Sequence, residues 1–436
     1  VLEQSRHFGH ELRTLRRAAR MTLDDLASRV HFSKGHLSKV ERGDKPASPD
    51  LARLCDAVFE AGGALIALVP EERRRPEAEA SQASTGDEEM WSMELSPDGP
   101  SRFEPLGRRQ VVARAAASAV GLRMGLPRPP AGPEGDSLLE MSRSLFGQYR
   151  QLGQAAAPEA VLPALIAQTH TLRSLALRAG PRTRAGLLGL ASRYAEYIGW
   201  LVQETGNDLS ALWWTERAVS MAAAGGDDHL AAYALVRRAL IAMYRQDAAE
   251  TIGLARQAQG GRLPPRIRGL AAQREAQGHA LAGDYDSCMR CLDRARALLA
   301  APGAASDAPV IGPTSLSDPV AMVTGWCLHD LGRPRQAAAV MDAQVRRLPG
   351  HALRSQARYG VRRALAHATA GDIDHACDVV APLLTTTIAV GSATIAADLR
   401  RLERTLARHP RNAAVRALAP ELTAALHFVS VQHPSS

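Results

Sequence analysis

The sequence predicts an all-α protein, on three observations. Apolar residues recur at spacings of three, four and seven, and no run alternates convincingly with the period of two that a half-buried strand requires. Ala and Leu dominate while aromatic residues make up only 4% of the 436 residues, a composition that favours helices and supplies few cross-strand partners. Past about residue 185, small residues recur in a fixed register, as stacked helix pairs require. With 46% apolar residues, a chain of this length supports two or three units. The expected division is a four-helix unit over 1–70, an acidic flexible linker over 71–105 and a helical repeat region over 106–436.

In the first unit Leu12, Leu15, Leu23, Leu26, Val30, Leu37, Val40, Leu51 and Leu54 set the helical spacing of four elements, roughly Arg6–Ala19, Leu23–Val30, Lys34–Arg42 and Pro49–Phe59. Thr22 is placed to cap the second helix, with Asp25 at the fourth position of a capping box, and Ser33 to cap the third. Gly43, Pro46 and Pro49 then stop the third helix and start the fourth. Ala27 is small enough for the second and third helices to cross closely.

Charge marks one surface of this unit. The chain has only three lysines, Lys34, Lys39 and Lys45, all within twelve residues that cover the third helix and the loop after it. Elsewhere Arg supplies the positive charge, so this cluster points to a phosphate-rich groove and hence to double-stranded DNA. The segments LRTLR from Leu12, MTLDDLA from Met21 and FSKGHLSKVERG from Phe32 resemble the phage-repressor and Cro (XRE) class of helix-turn-helix regulators over about the first sixty residues. The resemblance implies that Lys34, Gly35 and Lys39 occupy base-edge positions, and that Ser33, His36, Arg42 and Lys45 stand for phosphates, with Thr22 in the same DNA-facing set. It also implies that Arg16 and Glu41 pair, tying the first helix to the third. Leu23 stands where the class carries Gln, which leaves the N-terminus of the second helix to face the phosphates alone.

Between about Pro70 and Pro105 periodicity fades and Glu, Ser and Pro accumulate, the composition of a flexible linker; Trp91 and Met93 are candidates to dock on a neighbouring surface. Residues 76–104 carry 1 basic and 8 acidic groups, against 14 and 11 over 1–75 and 38 and 26 over 105–436. The basic excess of the last part is read mainly as solvated Arg on helix faces. Five scattered cysteines fit a reduced, cytoplasmic protein, and the lone pair Cys288 and Cys291 fits buried helix positions better than a metal site, so no metal is expected. Arg108 and Arg109 precede an apolar run interrupted by Arg114, which reads as an ordinary helix and not an export signal. The uncharged run from Val379 to Ala397 contains Pro382 and Gly391 and reads as two helix ends and a turn buried in protein, without a membrane span.

Segments Ser137–Gly153 and Pro158–Ala179 read as helices leading into the repeats, and Asn412–Val429 as a closing helix. Windows beginning at Gly206, Gln246, Gly283, Gly332 and Gly371 align on the turn before each second helix, spaced 40, 37, 49 and 39 residues apart. Sixth in each window stand Ala211, Thr251, Cys288, Ala337 and Ala376; seven residues before each window stand Gly199, Ala239, Ala276, Gly325 and Ala364. Two antiparallel helices cross closely only where both present small residues. The array resembles a degenerate tetratricopeptide solenoid, which implies a long concave groove.

Aromatic residues concentrate in the first two repeats, where Trp200, Trp213, Trp214 and Tyr233 with Arg237 and Arg238 are candidates to contact a small-molecule or peptide effector. The architecture as a whole resembles regulators of Gram-positive, including actinobacterial, origin, and so implies a cytoplasmic, homodimeric transcriptional regulator. A scaffold that uses the repeats to hold another protein is the alternative. No cofactor and no catalytic residue are expected: no Lys follows position 45 to serve a phosphate-binding loop, and the sequence holds no G-x-S-x-G, H-E-x-x-H or G-x-G-x-x-G.

Overall fold

Close crossing at a glycine organises the first unit of this computed structural model, which describes residues 2–69, 90–94, 102–106, 133–301 and 309–432. Helices α1 (Leu2–Ala18), α2 (Leu23–Val30), α3 (Lys34–Glu41) and α4 (Pro49–Phe59) match the expected four, and a one-turn α5 (Ala64–Ala67) follows. A side chain at Gly9 would collide with the backbone oxygens of Val40 and Glu41, so α1 crosses α3 closely at this glycine, while Ala27 of α2 packs against the same core. Phe8, Leu12, Leu26, Val30, Leu37, Val40, Leu51, Leu54 and Leu65 close over the core. Thr22 and Asp25 form the capping box, and Ser33 and Ser48 cap α3 and α4 through the backbone N–H groups of His36 and Leu51. Buried Asp56 accepts from the N–H groups of Gly63 and Leu65 at 2.8 and 2.9 Å, which fixes the turn into α5.

Two short strands, β1 (Met90–Glu94) and β2 (Arg102–Leu106), pair antiparallel within the span read as linker, with Trp91 opposite Pro105 and Met93 opposite Phe103. The remainder of that span and the helix expected after Arg109 lie outside the described residues. The described residues are otherwise all-α.

The C-terminal region is an array of helix pairs. After α6 (Pro133–Ala155) and α7 (Pro158–Ala176) come α8 (Pro181–Glu204) with α9 (Asp208–Ala224), α10 (Leu230–Tyr244) with α11 (Ala248–Gln257), and α12 (Pro265–Leu281) with α13 (Tyr285–Ala300). Then follow α14 (Pro319–Asp330) with α15 (Pro334–Val345), and α16 (Leu353–Thr369) with α17 (Ile373–Val380). A 3-10 turn at Ala381–Leu383, α18 (Leu384–Val390), α19 (Ala393–Leu406) and α20 (Ala413–Gln432) end the array. Every small residue of the predicted register is buried. A side chain at Gly199 would touch the carbonyl of its register partner Ala211, and one at Gly325 would meet Met341 on the facing helix, so at these two pairs close helix crossing requires the small residue. The first residue of each window takes a left-handed conformation, with φ of 89° at Gly206, 63° at Gln246, 79° at Gly283, 70° at Gly332 and 92° at Gly371. Only the second uses a residue other than Gly there.

The stretch Ile373–Val390 is long and apolar enough to cross a membrane, yet it is interrupted by the 3-10 turn and 39% of it is buried in protein. Cys288 and Cys291 are both buried on α13, in the core with Cys327.

The array does not present the open groove expected of it, because its ends meet. Arg354 on α16 is 1% exposed, and its guanidinium donates to the Gly153, Ala156 and Val390 carbonyls at 2.8, 2.7 and 2.8 Å. Glu204, at the end of α8, accepts from Arg354 and Arg358 on α16 and from Ser392 and Thr394 at the head of α19. Early and late helices therefore close into a ring around an interior lined by α8, α10, α12, α14, α16 and α19.

Candidate nucleic-acid interface

Helix α3 stands outward. Lys34, Gly35, Lys39, Arg42 and Lys45 are exposed, as are Ser33 and Thr22. Nothing lies within 4 Å of where a side chain on Gly35 would begin, so this position admits close approach of a base edge. Lys34 Nζ bonds the Asp24 carboxylate at 2.7 Å, and Arg42 bonds Asp44 and Ser38 at 2.7 Å each; all are solvent-facing contacts that a phosphate can displace. His36 is half-buried against Phe32 and lies 3.5 Å from Lys45 Nζ. Burial, then the charges of Lys45, Arg408 and Lys39, pull its pKa down, so it is neutral near pH 7 and can accept or donate one hydrogen bond without adding charge.

Behind this surface Arg16 and Glu41 form a two-pronged ion pair at 2.6 and 2.9 Å, and Arg16 also donates to the Met21 carbonyl at 2.8 Å. The pair locks α1 to α3 as the resemblance implied. The N-terminus of α2 is a poorer phosphate site than expected. Asp24 and Asp25 occupy its first turn, and the Asp25 carboxylate already takes the Thr22 N–H at 2.8 Å.

Residues 7–69 match the family model of a helix-turn-helix domain. The N-terminal unit is a helix-turn-helix domain. No curated protein and no solved structure matches the chain.

The helix-turn-helix domain does not hang free on its linker. It is seated on the left-handed turns of the ring, a contact that sequence reasoning missed. Arg53 donates to Gln246 Oε1 at 2.7 Å, and the Arg53 carbonyl packs on Gly332 so closely that no side chain fits there. Gly63 meets Ala282 and Gly283, and His31 meets Gly371. Asp50 faces Arg53, Arg401 and Arg408 at 3.7, 3.8 and 3.3 Å, and Arg401 also reaches Asp330 at 3.3 Å. Burial opposes the Asp50 charge, but Arg401, Arg53, His329 and Arg408 together hold its carboxyl below the usual range. Arg408 additionally covers the Phe32 ring at 4.3 Å, beside the base of α3. Four of the five window starts thus serve twice, once as tight turns and once as seats for the domain.

The candidate effector residues separate. Tyr233 and Arg237 are buried and Trp200 is half-buried, whereas Arg238 is exposed on another face of α10. Trp213 and Trp214 meet edge to face on α9, packed into the core of the first repeats. Among the described residues two groups have metal-ligand types close together, Glu275 with His279 and Cys291, and Asp342 with His367 and His375. In each the carboxylate is already held by Arg, from Arg256 and Arg294 in the first and Arg363 in the second, so the charge that a cation would bring is already supplied.

Proposed function

We propose that this chain is a transcriptional regulator that binds a two-fold-related DNA site as a homodimer, and that its helical ring responds to an effector. One observation carries the reading: α4 and the turn before α3 fasten the helix-turn-helix domain to the ring, while Lys34, Gly35, Lys39 and Lys45 are left in solvent together. A single recognition helix reads too few bases for useful specificity, which argues for two copies with half-sites about one helical turn apart. The effector reading is supported by the link from the ring interior to the domain. Arg362 on α16 pairs with Asp398 on α19 at 2.7 Å, and one turn along α19 Arg401 faces Asp50 of the domain.

Binding measured on cognate and random DNA at several salt concentrations tests this. Lys39→Ala is expected to narrow the gap between the two DNAs by about 1–3 kcal/mol. Lys45→Ala is expected to weaken both equally and to reduce the salt slope by about 1. Equal loss on both DNAs from both variants overturns the assignment of roles.

A further inference from the structure

The interior of the ring collects buried donors that make no hydrogen bond. Gln203 Oε1 accepts from Arg237 at 3.3 Å and Gln277 Oε1 accepts from Arg274 at 2.5 Å, so both amide nitrogens must turn elsewhere. Among the described residues these two Nε2 atoms and Arg362 Nη1 have no hydrogen-bond partner, and Arg237 Nε faces Glu196 Oε1 only at 3.6 Å, beyond hydrogen-bond reach, although Gln203, Gln277, Arg237 and Arg362 are 2%, 2%, 5% and 4% exposed. Every one of these atoms is a donor, and a buried donor left unmade is costly.

Charge is unbalanced in the same place. Glu204 serves Arg354 and Arg358, Asp398 serves Arg362, and Glu196 lies 3.6 Å from Arg237. Arg274 has no carboxylate partner among the described residues; its neighbours are Tyr359, Tyr244, Tyr233 and the like charge of Arg237, and burial pulls its pKa down. Tyr244 joins the two halves of the cluster, its hydroxyl oxygen accepting from Arg358 and Arg362 at 3.0 Å each. Water can meet stray N–H groups but does not neutralise a desolvated guanidinium. Arg274, Tyr244 and Tyr359 at this cluster keep part of their surface open to solvent.

We propose that the ring interior binds a small acidic molecule, a carboxylate or phosphate ester, whose anionic group is held by Arg237, Arg274 and Arg362 with the amide N–H groups of Gln203 and Gln277. Tyr233, Tyr244 and Tyr359 form its walls. This gives the effector a chemical class; it rests on the preceding reading only for its consequence at the DNA end.

Thermal unfolding of the full chain with citrate or pyrophosphate, against potassium chloride at equal ionic strength, tests the site without DNA. Binding is expected to raise the unfolding temperature by at least about 3 °C at saturation, and the better of the two anions distinguishes carboxylate from phosphate. Arg274→Gln is expected to abolish the shift, while the ligand-free variant melts no lower than the parent, because it removes a buried charge that lacks a counterion. Arg238→Gln, on the exposed face, is expected to keep the shift. The proposal is overturned if neither anion raises the temperature, if Arg274→Gln responds as the parent does, or if that variant is destabilised when ligand-free. DNA binding measured on the same samples separates the two readings: intact DNA binding without an anion response defeats the site alone, and the reverse defeats only the assignment of the DNA surface.

Discussion

Single side chains hold the first helix to the third and the early helices of the ring to the late ones. Glu41 is nearly buried and carries both prongs of Arg16, so Glu41→Ala leaves a guanidinium without its partner between α1 and α3. The expected cost is about 1–3 kcal/mol, read as a roughly tenfold to hundredfold loss of amide-exchange protection confined to the helix-turn-helix domain. Unchanged protection removes the pair from the account. Glu204 does the corresponding work in the ring. Burial alone would raise its pKa, but Arg358, Arg354 and the Ser392 hydroxyl outweigh it and hold the carboxyl at about 2. A carboxyl depressed in the folded state stabilises fully above its unfolded pKa, and that stability is lost as pH falls towards the folded value. The ring closure is therefore expected to weaken between about pH 4.5 and 2 by on the order of 3 kcal/mol, and Glu204→Gln is expected to remove that part of the acid dependence. An acid titration of stability that is identical in parent and variant contradicts this.

At the scale of elements, what could be read from the sequence was what local chemistry decides. Thr22 with Asp25, Ser33 and the Pro49 start set the ends of α2, α3 and α4 within one residue of expectation, because capping and proline geometry act over four residues. The small-residue register located the helix pairs because the two helices of a pair, joined by a short turn, cross closely only where both present small residues. What escaped was contact between segments far apart in sequence. Arg53 reads as one more helix arginine until Gln246, 193 residues away, supplies its partner. Gly332 and Gly371 read as turn residues, and nothing local distinguishes them from a glycine that carries no load. Gly226 is such a glycine, left-handed at 81° with nothing within 4 Å. The contrast gives a test. Gly226→Ala is expected to cost only the left-handed strain, about 1–2 kcal/mol, while Gly332→Ala adds a collision with the Arg53 carbonyl and loosens α4 from the ring. Proteolysis and amide exchange at α4 distinguish them, and equal exchange in both variants denies the seat.

For the whole molecule, closure of the ring and seating of the domain turn two units into one body with a short mechanical path between interior and DNA surface. Asp398 and Arg401 lie three residues apart on α19, the first taking Arg362 from the interior and the second standing between Asp50 and Asp330 at the seat. An anion at Arg362 competes with Asp398 for the same guanidinium, so occupancy of the interior is expected to bear on α19. A ligand shifts a conformation only by its difference in affinity for the two arrangements, and the reciprocal effect must then appear: DNA must change the affinity for the anion by the same factor. Arg401→Met separates coupling from binding, since it touches neither α3 nor Arg237 and Arg274. The variant is expected to bind DNA alone and citrate or pyrophosphate alone within about twofold of the parent, and to lose most of a coupling of about 1–3 kcal/mol between them. Binding of each partner measured with and without the other decides it, and coupling that survives Arg401→Met intact places the path elsewhere.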